Sequence, residues 1–226
     1  MMNFLLMLTF LFAIADWYAV ATRRRRLEYV MKPGTMLSLI LWFTTMLPTA
    51  PPAFTSIFTL GLALSLIGDV FLMLPNDRFL SGVIAFLLAH VAYVIAYNMG
   101  GVLVTPLSVF LLLMIGVIGF FIARPIVRAL RSSGKDKLVG PIIVYAIVLT
   151  ATLWSTTTTL LRPEWPLIGA VITFIGGLLF YVSDSMNAWI RFVSPLPGGH
   201  LPVMITYHVS QFLMAAGVLI AVGVLG

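Results

Sequence analysis

Residues 102–123 read VLVTPLSVFLLLMIGVIGFFIA, and a basic segment follows with Arg124, Arg128, Arg131, Lys135 and Lys137. As a helix, an uncharged apolar run of this length crosses the ~30 Å hydrocarbon core of a bilayer. It has none of the period-two alternation expected of a barrel strand. Reading outward on the same criteria gives eight apolar spans: Met1–Ala21, Gly34–Leu47, Phe54–Leu74, Phe79–Asn98, Val102–Ala123, Leu138–Leu161, Trp165–Met186 and Leu201–Leu225. Composition agrees. Of 226 residues, 61% are hydrophobic and 9% charged, and the mean hydropathy is +1.11; a soluble domain carries about 25% charged residues. Backbone polar groups in hydrocarbon must be satisfied internally. The expected fold is therefore all-α: a polytopic bundle of eight transmembrane helices. Residues 1–226 form one transmembrane domain, because no segment between spans is long enough for a soluble one.

Positive charge orients the bundle. If Arg23–Arg26 lie in the cytoplasm and the spans alternate, Lys32, Arg78, Arg124, Arg128, Arg131, Lys135, Lys137 and Arg191 also fall inside, and Arg162 alone falls outside. Such a bias places both termini outside, in a multi-pass protein of the cell (plasma or inner) membrane. The basic residues follow the first span rather than precede it, which is not the order of a cleaved signal peptide. The net charge of +6 is thus the signature of cytoplasmic loops, and no nucleic-acid partner is expected. The chain contains no cysteine, which excludes disulfides, thiolate nucleophiles and zinc–thiolate sites.

Ionisable groups inside hydrocarbon are costly and mark functional sites by default. Of the seven acids, Glu28, Asp77, Asp136 and Glu164 fall in loops or at helix ends, whereas Asp16, Asp69 and Asp184 lie within spans. Asp69 is about 8 Å of helix rise from the cytoplasmic end of its span, and Asp184 is closer still. Tyr207, His208 and Gln211 share that half, and His90 lies near the middle of its span. A common depth on five helices implies one cavity open toward the cytoplasm. Asp16 is expected to snorkel toward Arg23 and its neighbours, and His208 is open to a packing or a functional reading. Asp69 and Asp184 are expected to have no basic partner within a span. Thr156–Thr159 are expected to bond back to their own helix, and Gly61, Gly68 and Gly82 to mark close helix packing.

The stretch Gly68-Asp69-Val70-Phe71-Leu72-Met73-Leu74, with Phe79, Gly82, Phe86, His90 and Tyr93, resembles the third and fourth spans of the YhhN-like lysoplasmalogenase family. Phe180-Tyr181-Val182-Ser183-Asp184-Ser185 is similar to that family's Ser-Asp motif, and Tyr207 with Gln211 to its final-helix Tyr-x-x-x-Gln. Lys32-Pro33 and Pro141 with Tyr145 are weaker matches. The resemblance implies an eight-span enzyme that hydrolyses the vinyl ether bond of lysoplasmalogens to a fatty aldehyde and glycerophosphoethanolamine or glycerophosphocholine. It implies Asp69 and Asp184 as the catalytic pair and no metal or other cofactor. The expected partners are a lysophospholipid substrate and the membrane lipids.

Those residue types suit the chemistry. Vinyl ether hydrolysis begins with protonation of the β-carbon, which leaves an oxocarbenium ion for water to capture. Two carboxyl groups in one low-dielectric pocket can supply an acid and an anion. General acid catalysis contributes about 10²–10⁴-fold, and charge stabilisation adds to it. Ser183, Tyr207 and Gln211 are candidates to orient a carboxylate or water, and His90 and Tyr93 to support them. Lys32 and Arg78, at the rim, are candidates to hold the lipid phosphate. Which Asp is the acid is open at this stage. Two alternatives belong to other classes: a proton-coupled small-molecule transporter, which should show internal repeats and broken helices, and a metal-dependent lipid hydrolase with His and Asp ligands.

Overall fold

The computed structural model describes residues 2–74 and 78–225, with Met2 and Asn3 described by their backbone alone. Asp77 and Met1 lie outside the described residues. Eight long helices follow one another: α1 (Met2–Ala21), α2 (Arg25–Met46), α3 (Ala53–Met73), α4 (Phe79–Tyr97), α5 (Pro106–Ser132), α6 (Val139–Thr158), α7 (Leu167–Phe192) and α8 (Leu201–Ala221). Short 3-10 turns flank α6 at Asp136–Leu138 and Thr159–Leu161. There is no strand among the described residues.

Seven of these helices, all but α2, are long and apolar enough to cross a membrane. The outward side chains fit a lipid solvent: Phe110, Leu113, Phe120 and Phe121 on α5 are 60–63% exposed, in a chain with few charges to offer water. The chain is a multi-pass integral membrane protein.

Helix α2 departs from expectation. Hydropathy places its span at Gly34–Leu47 behind a basic loop, but the helix begins at Arg25 and carries Arg26, Glu28, Lys32 and Pro33 inside it. The loop shrinks to Thr22–Arg24. Arg23 adopts φ 57°, Arg24 N–H donates to Ala19 C=O at 2.8 Å and Arg23 N–H to Val20 C=O at 3.2 Å. This is the left-handed helix stop usually made by glycine. Hydropathy cannot see the polar first turns of such a helix, and Pro33 removes one backbone donor without ending it. At 22 residues, α2 is about 33 Å long. For the same reason α5 continues past Ala123 to Ser132 through Pro125, and α7 past Met186 to Phe192.

Successive helix contacts close a ring, α2–α3–α4–α6–α7–α8 and back to α2, with α1 packed outside on α2 and α8 and α5 outside on α6 and α7. Small residues permit the tight pairings, as expected of Gly61, Gly68 and Gly82. A Cβ on Gly61 would sit 2.5 Å from the Tyr93 ring, and one on Gly68 2.6 Å from the Phe86 ring. The α4 aromatics therefore rest on the α3 backbone beside Asp69. On the other side, a Cβ on Gly176 would lie 2.8 Å from the Met214 backbone nitrogen, which holds α7 and α8 nearly backbone to backbone. Thr156, Thr157, Thr158 and Thr159 bond back to carbonyls of α6, as expected.

A row of rings fills the interior at mid-depth. Phe58 packs on Phe43 and Tyr93 at 5.2 and 5.1 Å between centroids, and Phe180 on His90 and Tyr207 at 4.5 and 5.7 Å. His90, Tyr93, Phe180 and Gln211 are completely buried. They form a floor, and a cavity opens above it.

Candidate active site

That cavity has a volume of about 1050 Å³. Asp69, Asp184, Tyr207, Ser183, Lys32 and Arg78 all line it, so most of the residues singled out from sequence share one wall. His90, Tyr93 and Gln211 lie in the floor behind it.

The two carboxylates have different surroundings. Asp69, on α3, is 1% exposed; Lys32 Nζ sits 3.1 Å from its Oδ1, and Tyr207 O–H donates to its Oδ2 at 2.7 Å. A cation and a hydroxyl thus occupy both oxygens, an arrangement that complements a carboxylate at Asp69. The expectation that no basic residue inside a span pairs with either Asp fails here. Lys32 belongs to α2, not to the loop, and its buried ammonium needs a counter-ion. Its expected role in holding a phosphate goes with it.

Asp184, on α7, has a side chain 12% exposed. His90 Nε2 lies 3.0 Å from its Oδ2, and Tyr145 O–H donates to the same oxygen. Both partners fall on Oδ2, which leaves Oδ1 for the cavity. His90 Nδ1 meets Thr152 Oγ1 at 3.2 Å, so α6 fixes the ring that fixes Asp184. Asp69 and Asp184 thus face one space, the first bound to a fixed cation, the second held on one edge only.

The remaining residues brace the site. Tyr93 O–H donates to Gln211 Oε1 at 2.8 Å and lies 3.4 Å from Ser65 Oγ, which ties α3, α4 and α8 together beneath Asp69. Ser183 O–H donates to the Val203 carbonyl at 3.1 Å, so it clamps α7 to α8 instead of bonding a carboxylate. His208 accepts from Trp17 Nε1 at 3.2 Å, away from the cavity, and supports the packing reading. Asp16 does not snorkel: it is fully buried, and neither oxygen has a hydrogen-bond partner among the described residues. It lies on α1 two turns before Arg23, too deep for those side chains to follow.

Tyr145, a weaker match in the sequence, and Thr152, which sequence reasoning missed, emerge as site residues. They are seven residues apart on α6, which puts them on one face; that spacing, at the depth of Asp184 and His90, was the available signal. Among the described residues no three of His, Asp and Glu gather as a metal-ligand set.

The YhhN family profile matches residues 27–218. The chain is 30% identical to human lysoplasmalogenase TMEM86B over 83% of its own length and 72% of the relative's. It is 34% identical to the pig lysoplasmalogenase TMEM86B over 70% of its length and 61% of the relative's. A lysoplasmalogenase homolog from Dictyostelium discoideum is 24% identical, over 78% of this chain and 67% of that one. No solved structure matches the chain.

Proposed function

The chain belongs to the YhhN family, and from that premise we propose that it is a membrane ether hydrolase that cleaves the vinyl ether bond of lysoplasmalogens. The products are a fatty aldehyde and glycerophosphoethanolamine or glycerophosphocholine. The relatives' names supply the reaction. One observation carries the mechanism: two carboxyl groups face a single cavity in unlike environments, one neutralised by Lys32 and one with an oxygen free. The bundle acts as a single transmembrane domain in the cell membrane, with both termini outside and the cavity mouth toward the cytoplasm.

Asp184 is the acid. With Oδ2 accepting from Tyr145 and His90, a proton on Oδ1 points into the cavity. It passes to the β-carbon of the vinyl ether, and the positive charge spreads over the α-carbon and the ether oxygen. Asp69, an anion fixed by Lys32 and Tyr207, faces the developing cation without having to reorganise. Water adds to the α-carbon, and its spare proton returns to Asp184. The resulting hemiacetal collapses to the aldehyde and the free glycerol hydroxyl. Tyr145 and His90 position the acid, and Thr152 sets the ring of His90.

The test compares lysoplasmalogen with its saturated alkyl-ether and acyl analogues, with aldehyde release as the readout. The vinyl ether alone should yield aldehyde, because the saturated ether has no β-carbon that accepts a proton. Asp184→Asn should lose about 10²–10⁴-fold in turnover while still binding the alkyl-ether lipid. Near-native aldehyde release by this variant would refute the assignment.

A further inference from the structure

The cavity's rim carries an arrangement that the chemistry above does not use. Arg25, Glu28, Tyr29 and Lys32 are spaced i, i+3, i+4 and i+7 on α2, which places them on one face, and all four line the cavity. Lys32 is committed to Asp69. Glu28, one turn above it, is half-buried beside arginines, yet no cation lies within ion-pair distance of it among the described residues. An acid left without an ion pair in so basic a rim has its cation still to come. Across the mouth stand Arg78, at the start of α4, and Arg191, near the end of α7, whose guanidinium lies over the Phe79 ring at 4.6 Å. His200 adds no positive charge there, since partial burial, and then the charge of Lys32, lower its pKa below the ordinary histidine value.

We propose that this rim is a zwitterion cradle, in which Arg78 and Arg191 hold the phosphate of a lysophospholipid head group and Glu28, with the Tyr29 ring on the same rim, holds the ammonium. The inference rests on the lysophospholipid reading above and adds the part of the molecule that selects the head group. Arginine matches phosphate geometry. A carboxylate and an aromatic ring on one rim, here Glu28 and Tyr29, suit a primary or quaternary ammonium. The order along the site follows the order along the lipid: a glycerol and a phosphate lie between vinyl ether and ammonium, and Glu28 stands one turn of α2 beyond Lys32, which holds Asp69. A rim of arginines alone would favour anionic lipids; the unpaired Glu28 makes it favour zwitterions.

Binding to the detergent-purified protein tests this without requiring turnover. The probes are 1-alkyl-glycerophosphoethanolamine, 1-alkyl-glycero-3-phosphate, which lacks the ammonium, and diacyl phosphatidylethanolamine. Glu28→Gln should weaken the ethanolamine lipid about three- to fivefold and leave the phosphate lipid as tight or tighter. Glu28→Arg should invert the preference, and Glu28→Asp should keep it. Arg78→Gln should weaken both single-chain ligands. Equal losses of both ligands in Glu28→Gln and Glu28→Arg, or no change in either, would overturn the cradle. So would a diacyl lipid that binds as well and with the same dependence on Glu28, for the rim would then read the bulk membrane. Glu28-dependent binding in a protein that releases no aldehyde would sink the hydrolase reading and leave the cradle standing. Aldehyde release with a head-group preference indifferent to Glu28 would do the reverse.

Discussion

Replacing Lys32 by Met removes one half of a pair whose side chains are 6% and 1% exposed at 3.1 Å. The lost attraction is the smaller part of the effect. An uncompensated carboxylate is left among Tyr207, the rings of the floor and the helix walls, and breaking a buried pair in this way costs about 3–5 kcal/mol. For a chain of this size that corresponds to a fall in Tm of about 6–20 °C. Asp69→Asn strands the ammonium instead and should cost a similar amount. The double variant Lys32→Met/Asp69→Asn buries two neutral groups of nearly the original shape, and should be more stable than either single one. The assay is thermal unfolding of the four proteins in one detergent, read as a double-mutant cycle. A coupling of about 3 kcal/mol is expected, far outside the ~0.5 kcal/mol typical of independent sites. Asp69→Asn and the double variant should release little aldehyde, because each removes the anion opposite Asp184; Lys32→Met keeps that carboxylate but takes away the cation that fixes it. Stability losses that simply add would refute the pairing, and full activity in the double variant would refute the role given to Asp69.

Solvent deuterium should slow aldehyde release, since the proton moved to carbon comes from an exchangeable carboxyl group; equal rates in both solvents would place the slow step elsewhere. Tyr145→Phe should lower kcat by about tenfold and leave KM nearly unchanged, as expected for a donor that acts through Asp184. A rise in KM alone would make Tyr145 a binding residue. Reporter fusions at both termini should label from outside the cell, and fusions within the Lys135–Lys137 segment from the cytoplasm; the opposite pattern would invert the bundle.

The apolar helices could be read from sequence because hydrocarbon imposes a single strong requirement, and seven of them meet it on length and hydropathy. Helix α2 escaped that reading because its first two turns, with Arg25, Arg26, Glu28 and Lys32, carry the composition of a loop. The grouping of Asp69, Asp184 and Tyr207 on one cavity was visible as a shared depth. What each carboxylate touches was not, since azimuth around a helix is set by packing between helices distant in the chain. Lys32 and Asp69 are 37 positions apart, and Tyr145 and Asp184 are 39 apart. Asp16 shows the limit from the other side: a polar residue near a basic run reads as surface-seeking, yet α1 turns it fully inward.

The floor of fully buried His90, Tyr93, Phe180 and Gln211 gives the cavity a closed inner end, and that constrains the order of product release. Water and lipid come in, and both products go out, on the same side. The glycerophospho product sits nearest the mouth and leaves first, so the aldehyde departs from an otherwise empty enzyme. In steady-state kinetics the aldehyde should therefore inhibit competitively against substrate, and the glycerophospho product non-competitively.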